Sequence, residues 1–96
     1  MERTMREAGG RPLVIAFISY RCPHCRRFLP ILEALCQEMP DVIFKKVDVN
    51  ASEELRDEYG IESVPDTYLF KNGILSNRIA GADKESLLNS LQFLRN

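Results

Sequence analysis

The chain has 96 residues, of which 45% are apolar and 28% are charged, a composition that suits one small globular domain. Its net charge of -1 gives no electrostatic reason to expect nucleic acid or an anionic membrane as a partner. The longest apolar run is too short to span a bilayer, and the first residues lack the apolar stretch of a secretory signal. We therefore expect a single domain over residues 1–96, located in the cytoplasm.

The first third of the chain predicts a helix, a strand and a second helix. A weak helical pattern covers residues 1–10, and a continuously apolar segment at 13–18 is typical of a central strand that is covered on both faces. Apolar residues then recur at spacings of three and four, which predicts a helix that ends near Glu38 and is kinked by Pro30. The apolar stripe of this helix comprises Phe28, Leu32, Leu35, Cys36 and Met39. Because Cys36 falls on the stripe, we expect a buried core thiol there.

A second strand and a short helix follow. Residues 42–49 are typical of a strand, and their two lysines, Lys45 and Lys46, favour an edge position. Two strands joined by a helix form a right-handed βαβ unit. Ser52 is suited to cap the short helix and Gly60 to end it.

The last third predicts a hairpin and a final helix. Residues 67–71 resemble a strand, and the Asn-Gly pair at 72–73 is a strong hairpin signal because a type I′ turn needs positive φ at both central positions. The return strand over 74–80 is expected to place Leu75 and Ile79 on one face. The stripe of the final helix comprises Leu87, Leu88, Leu91 and Leu94.

A pair of cysteines lies where the first strand passes into the long helix. Pro23 suits the first helical turn, so Cys22 meets the unpaired N–H groups and the positive end of the helix dipole. Such a position stabilises a thiolate, the nucleophile of disulfide exchange. The alternative is a zinc site, but Cys36 is too far along the helix and His24 is the one histidine. A redox-active pair is favoured, with no metal and no bound cofactor.

The chain resembles the thioredoxin family over nearly its whole length. The resemblance rests on Cys22-x-x-Cys25, Pro30, Val64-Pro65, Phe70-Lys71-Asn72-Gly73 and Gly81, which follow one another at close to the family's intervals. It implies an α/β thioredoxin-like fold with a central mixed four-stranded sheet flanked by helices. Compared with the family's pattern, we expect the first edge strand to be missing, which leaves four strands.

The resemblance also assigns roles to residues. Cys22 would be the nucleophile and Cys25 the resolving thiol, with Pro23 and His24 between them tuning the thiolate. Pro65 would be a cis-proline that faces the dithiol and turns the neighbouring backbone towards a substrate chain. The surface that contacts substrates would comprise Arg21, Ile61, Val64 and Asp66.

Two departures from the family's pattern concern the dithiol. The Pro-His pair within the motif is similar to that of periplasmic disulfide oxidases. Ala16 stands where thioredoxins carry a buried aspartate, whereas Lys46, the partner of that aspartate, is retained. Proton transfer at Cys25 would then fall to water, to His24 or to another carboxylate.

These features predict a thiol–disulfide oxidoreductase that reduces protein disulfides. Its partners would be proteins with disulfides or dithiols and an electron source, either a flavin reductase or glutathione. It would act as a monomer in electron transport and cell redox homeostasis. The alternatives are the same chemistry run towards oxidation or isomerisation, and a thioredoxin-like binding adaptor.

Overall fold

Four helices and four strands make up the part of the chain that the computed structural model describes, residues 2–95. Met1 and Asn96, at the ends of the expected domain, lie outside it. The boundaries agree with those expected from the sequence to within two or three residues. In chain order the elements are α1 (Glu2–Ala8), β1 (Leu13–Ile18), α2 (Pro23–Glu38), β2 (Ile43–Asp48), α3 (Glu53–Glu58), β3 (Asp66–Lys71), β4 (Ile74–Ala80) and α4 (Lys84–Arg95).

The strands form one mixed sheet in the order β2-β1-β3-β4. Strand β1 runs parallel to β2 and antiparallel to β3, and β3 and β4 form an antiparallel hairpin. The predicted four-stranded thioredoxin-like sheet is therefore confirmed. Strand β2 lies at one edge, as its two lysines predicted, and one of its sides carries no neighbouring strand among the described residues.

The alternating side chains of β1 enter two separate apolar clusters. Val14, Ala16 and Ile18 pack in one cluster with residues of α2 and α4. Leu13 and Phe17 lie in the other cluster, on the opposite face of the sheet, with residues of α1 and α3. Burial on both faces explains the uninterrupted apolar run, since each fully buried side chain of this size contributes roughly 1.5–3 kcal/mol.

The prediction that Cys36 is a core thiol was wrong, because Cys36 is exposed. The buried residues of α2 are Cys25, Phe28, Leu32 and Leu35. Cys36 follows Leu35 and is therefore rotated by about 100° around the helix axis, towards the β2 edge. Since β2 is the last strand on that side among residues 2–95, no further layer of the described chain covers this flank of the helix.

The hairpin confirms the turn prediction and corrects one residue of β4. Asn72 and Gly73 both have positive φ, as a type I′ turn requires. A register shift follows, so Leu75 pairs with Phe70 and lies on the α1 side of the sheet, 48% exposed. Ile79 is buried on the α2 and α4 side. The expectation that both share one face was wrong because the shift adds one residue between them.

Candidate dithiol active site

Both cysteines of the motif lie at the beginning of α2. Strand β1 ends at Ile18, a short loop follows, and Cys22 is the N-cap residue of the helix with Pro23 in its first turn. The local sequence accounts for this placement, because proline in the first turn has no N–H that would be left unpaired. Cys22 is partly exposed, whereas Cys25 is fully buried.

The surroundings of Cys22 favour its thiolate. The backbone N–H of Cys25 lowers the pKa of the Cys22 thiol most, and burial opposes this effect. The Cys25 thiol, the backbone N–H of His24 and the charge of Arg26 lower the pKa further. The two backbone N–H groups are unpaired donors of the helix N-terminus, so the helix itself contributes to stabilising the Cys22 thiolate.

The surroundings of Cys25 favour its neutral thiol. Burial raises the pKa of Cys25, and the neighbouring Cys22 raises it further through its hydrogen bond and its charge. The backbone N–H of Ser19 partly opposes the shift by donating to the Cys25 Sγ over 3.5 Å. Because the two thiols interact, the first proton leaves the pair from the Cys22 side.

A cis-proline loop lies across from Cys22. The Val64–Pro65 peptide bond is cis. The Sγ of Cys22 lies 3.8 Å from the carbonyl oxygen of Val64. The backbone N–H of Gly81 donates to the Pro65 carbonyl over 2.8 Å, which ties the loop to the end of β4. The loop therefore presents backbone polar groups beside the reactive sulfur.

The side chains assigned to substrate contact are exposed to very different degrees. Arg21 is exposed and Val64 is half-buried, so both are open to a bound chain. Ile61 is buried in the apolar cluster on the α1 and α3 side. His24 is exposed, and its Nδ1 lies 3.0 Å from a guanidinium nitrogen of Arg27.

Asp66 is buried in an ion pair. It is 3% exposed, and its Oδ1 accepts a hydrogen bond from the Nε of Arg78 over 3.0 Å. This contact raises the pKa of Arg78, whose side chain is 47% exposed and lies 5.0 Å from the centre of the Tyr68 ring. Sequence reasoning missed Arg78 because its contact with Asp66 depends on the register of the hairpin.

Two further polar groups were missed by sequence reasoning. The hydroxyl oxygen of Ser19 accepts hydrogen bonds from the Arg21 backbone N–H over 3.2 Å and from the Asn50 amide over 2.7 Å, and so holds the loop before Cys22. Thr67 is fully buried, and its hydroxyl has no hydrogen-bond partner among the described residues. The position of Ser19 directly after a buried strand was the available signal.

Ala16 of β1 lies in the apolar cluster that also contains Cys25. It is 1% exposed and pairs across the sheet with Thr67 on one side and Lys46 on the other. Lys46 is exposed, with its Nζ 5.7 Å from the centre of the Tyr20 ring. An alanine supplies neither a proton donor nor a proton acceptor.

Residues 2–95 contain neither a grouped set of metal ligands nor a helix able to span a membrane. Within that range no group of three or more His, Cys, Asp or Glu residues is arranged to hold a metal ion. No helix in that part of the chain has both the length and the apolar character needed to cross a bilayer.

A βαβ unit with two thiols at the beginning of its helix and a cis-proline loop beside them defines a thiol–disulfide oxidoreductase of the thioredoxin fold. The chain belongs to the thioredoxin family, since the family model for thioredoxin matches residues 3–93. Thioredoxins are protein-disulfide oxidoreductases, and the chain is therefore an enzyme of that class.

Individual thioredoxins support the assignment. The chain is 32% identical to thioredoxin from Geodia cydonium over 92 residues, covering 95% of this chain and 87% of that protein. It is 39% identical to thioredoxin from Chlamydia muridarum over 82 residues, covering 84% of this chain and 79% of that protein. The X-ray structure of Fasciola hepatica thioredoxin superposes with a TM-score of 0.92 at 34% identity, covering 96% of this chain and 88% of that one. The crystal structure of spinach chloroplast thioredoxin f, in its short form, also superposes with a TM-score of 0.92 at 32% identity, covering 98% of this chain and 85% of that one.

Proposed function

We propose that the chain reduces disulfide bonds of protein substrates, with Cys22 as the nucleophile and Cys25 as the resolving thiol. The observation that carries this proposal is the contrast between the two sulfurs. Cys22 is partly exposed and its pKa is lowered, whereas Cys25 is buried and its pKa is raised. The exposed sulfur, whose ionisation is favoured, is the one that can meet a disulfide on another protein.

The reaction then has two steps. The Cys22 thiolate attacks one sulfur of the substrate disulfide, the S–S bond breaks, and the departing substrate sulfur leaves as a thiolate that takes up a proton. The Cys25 thiolate next attacks Cys22 in the mixed disulfide and releases the second substrate sulfur. The substrate gains two electrons and two protons, and the pair ends as a Cys22–Cys25 disulfide.

The second step requires Cys25 to lose its proton. The negative charge of Cys22 raises the pKa of Cys25, and that charge disappears when the mixed disulfide forms. The first step therefore makes the second deprotonation easier. Ala16 offers no base, so we assign the proton to water or to the departing substrate thiolate. The exposed position of His24 beside Arg27 argues against a direct role for its ring.

Substrate contact in this proposal centres on the cis-proline loop. The Val64 carbonyl lies beside Cys22 and suits backbone pairing with an extended substrate segment. Arg21 would contact the segment directly. Ile61 and Asp66 would act from below the surface, Ile61 by supporting the loop and Asp66 by holding Arg78 in position.

The remaining features of the proposal concern partners and location. Turnover requires an electron source, either a flavin reductase or glutathione, and no bound cofactor, which gives the chain a role in electron transport and cell redox homeostasis. We propose a monomeric single domain in the cytoplasm. The exposed thiol of Cys36 supports a reducing compartment, where such thiols stay unpaired.

The second candidate is the same chemistry in the oxidising direction, including disulfide isomerisation. Its support is the lowered pKa of Cys22, because stabilising the thiolate favours the reduced pair and makes the disulfide a stronger oxidant. A third candidate, a thioredoxin-like adaptor, would bind partners without exchanging disulfides.

The equilibrium reduction potential of the dithiol separates these candidates. Reduced and oxidised protein would be titrated against glutathione, alongside the Cys22→Ser variant as a control. A potential near about −270 mV, as in thioredoxin itself, would support reduction, and one approaching about −120 mV would support oxidation. Absence of any two-electron transition in the unmodified chain would refute both and leave the adaptor.

A further inference from the structure

An open cleft lies between α2 and the unpaired side of β2. Its volume is about 350 Å³, and its lining includes Val14, Leu29, Leu32, Phe44, Cys36 and Lys46. We call this region the β2 edge cleft. We propose that it binds an extended, acidic segment of a partner protein, which adds to β2 as a further strand. The proposal goes beyond the redox function and does not depend on it.

The backbone of β2 offers free hydrogen-bonding groups to such a segment. The N–H of Ile43 donates to Pro12 and that of Val49 donates to Ile18, so the odd-numbered residues of the strand face β1. Successive backbone groups of a strand point in opposite directions. The N–H and C=O groups of Phe44 and Lys46 therefore point away from the sheet, where an added strand would pair with them.

The cleft also has room for side chains of an added strand. Its walls are mainly apolar, with Val14 and Phe44 from the sheet facing Leu32 from the helix. A volume of 350 Å³ is about ten times the share of one water molecule, enough for a branched apolar side chain. An apolar residue placed beside Phe44 on the added strand would fill it.

Two lysines and one acidic residue, Glu33 of α2, line the cleft, so its charges favour an acidic segment. Lys45 and Lys46 are both exposed and, as neighbours on a strand, project to opposite faces of the sheet. Neither lysine takes part in any ion pair among residues 2–95. Because opposite charges on adjacent strands stabilise pairing, acidic residues beside both lysines complete the match. The expected pattern is one apolar residue followed by two acidic ones for a strand parallel to β2, and the reverse order for an antiparallel strand.

The same charges disfavour a second copy of this chain at the edge. Full-length antiparallel pairing of two β2 strands would bring Lys45 opposite Lys46 of the other copy, and parallel pairing in register would bring each lysine beside its equivalent. Like charges directly opposite one another destabilise strand pairing. The partner is therefore a different, acidic chain.

The test uses the full chain with Cys22 and Cys25 joined as a disulfide, so that Cys36 is the only thiol. Two capped peptides of β-branched residues, one with an apolar-Glu-Glu centre and one with a Glu-Glu-apolar centre, are titrated separately into the isotopically labelled protein. We expect changes in NMR chemical shift and slower hydrogen exchange at the backbone N–H groups of Phe44 and Lys46. Alkylation of Cys36 should slow about tenfold at saturation. Shift changes confined to the loop around Val64, or none at millimolar peptide, would overturn the proposal.

Two comparisons test the acidic character of the segment. A peptide with lysines in place of the two glutamates should bind at least about tenfold more weakly, because both cross-strand pairs become repulsive. The Lys45→Glu, Lys46→Glu double variant should weaken binding of the acidic peptide equally, whereas the matched Lys84→Glu change at the beginning of α4 should not. Equal binding of the lysine and glutamate peptides would overturn the charge argument.

A further variant tests strand addition itself. Lys46→Pro removes an outward N–H without removing a bond to β1, so the sheet should persist while peptide binding falls. If that variant does not fold, the amide exchange at Phe44 and Lys46 in the unmodified chain decides the question. Self-association in sedimentation that slows exchange at the same amides would overturn the proposal in favour of a second copy.

Discussion

Cys22 and Cys25 are separated by less than one helical turn, yet their surroundings act on them in opposite ways. Cys22 caps the helix at the surface, where backbone N–H groups lower its pKa. Cys25 is fully buried among apolar side chains, and that burial raises its pKa. Identical thiols therefore acquire different chemistry from their position at one helix terminus. The different roles that we propose for the two thiols therefore follow from the first turn of α2.

Removing one sulfur at a time should have the largest effect on the difference between the two thiols. Cys22→Ser should abolish reduction of a disulfide-bonded test protein, with a loss on the order of 10³-fold or more, because no other exposed nucleophile lies at the site. Cys25→Ser should still attack but should accumulate the mixed disulfide, detectable by mass spectrometry. Accumulation on Cys25 in the Cys22→Ser variant would contradict the assigned roles.

A carboxyl group at position 16, in the apolar cluster of Cys25, should change the surroundings of the buried thiol. Ala16→Asp should destabilise the fold by about 2–4 kcal/mol at pH 8, because burial raises the pKa of a carboxyl and disfavours its charged form. With the folded pKa above the unfolded one, the loss should shrink as the pH falls towards the unfolded pKa near ~4. Urea unfolding of the variant and the unmodified chain at pH 8 and at pH 5 measures the loss of stability at each pH.

Ala16→Asn is the matched control for that variant, since it has the same size and no charge. Its loss of stability should not depend on pH in this range. The Ala16→Asp variant should also resolve the mixed disulfide faster than the unmodified chain in stopped-flow measurements, because it supplies a proton acceptor on the Cys25 side of the sheet. An unchanged resolution rate would show that water already suffices.

The pH dependence of thiol alkylation sharpens the comparison directly. The Cys22 pKa lies below that of an ordinary thiol and the Cys25 pKa lies above it, so Cys22 should react at lower pH. Peptide mapping after a short pulse of iodoacetamide at each pH measures the extent of alkylation of Cys22 and of Cys25. Ionisation of Cys22 should stabilise the reduced fold as the pH rises through its folded pKa, and the raised Cys25 pKa should oppose this at higher pH.

Cys25→Ala provides the control for alkylation. It keeps the backbone N–H that lowers the Cys22 pKa most but loses the thiol hydrogen bond, so that pKa should rise in part. A rise to the value of an unfolded cysteine would show that the side chain, and not the backbone, dominates.

The smallest expected effect is that of the histidine between the cysteines. The His24 ring contacts Arg27. It is the backbone N–H of His24, and not its ring, that helps to lower the pKa of the Cys22 thiol. His24→Ala keeps that N–H, so the reduction potential should shift by only about 5–20 mV, the equivalent of ~0.3–1 kcal/mol. Glutathione titration of both proteins measures the shift, and His24→Gln tests whether a neutral polar side chain restores it. A shift above about 60 mV would give the ring a larger role than the contact with Arg27 allows.

The sequence predicted the parts of this protein whose signals are local. The apolar run of β1, the turn at 72–73 and the proline after Cys22 each depend on residues within a few positions of one another. Their boundaries and the helix N-terminus at the dithiol could therefore be read before the structure was known. The edge position of β2 was also predicted, because exposed lysines are a local sign of an unpaired strand.

Features that depend on contacts between distant segments could not be predicted in this way. Cys36 fits the apolar spacing of α2, but it is exposed because β2 is the edge strand of the sheet within residues 2–95. Leu75 and Ile79 fit one face by spacing, but a register shift separates them. The ion pair between Asp66 and Arg78 exists only in the register of the hairpin.

By itself, the sequence determined the order of elements and the placement of two thiols at a helix N-terminus, because propensity, capping and periodicity act over a few residues. The burial of Cys25 and the position of the Val64 carbonyl relative to Cys22 depend instead on how the segments pack together. The packing also leaves β2 with an open cleft. These outcomes depend on how the faces of one sheet are covered, and coverage is a property of the packed chain as a whole.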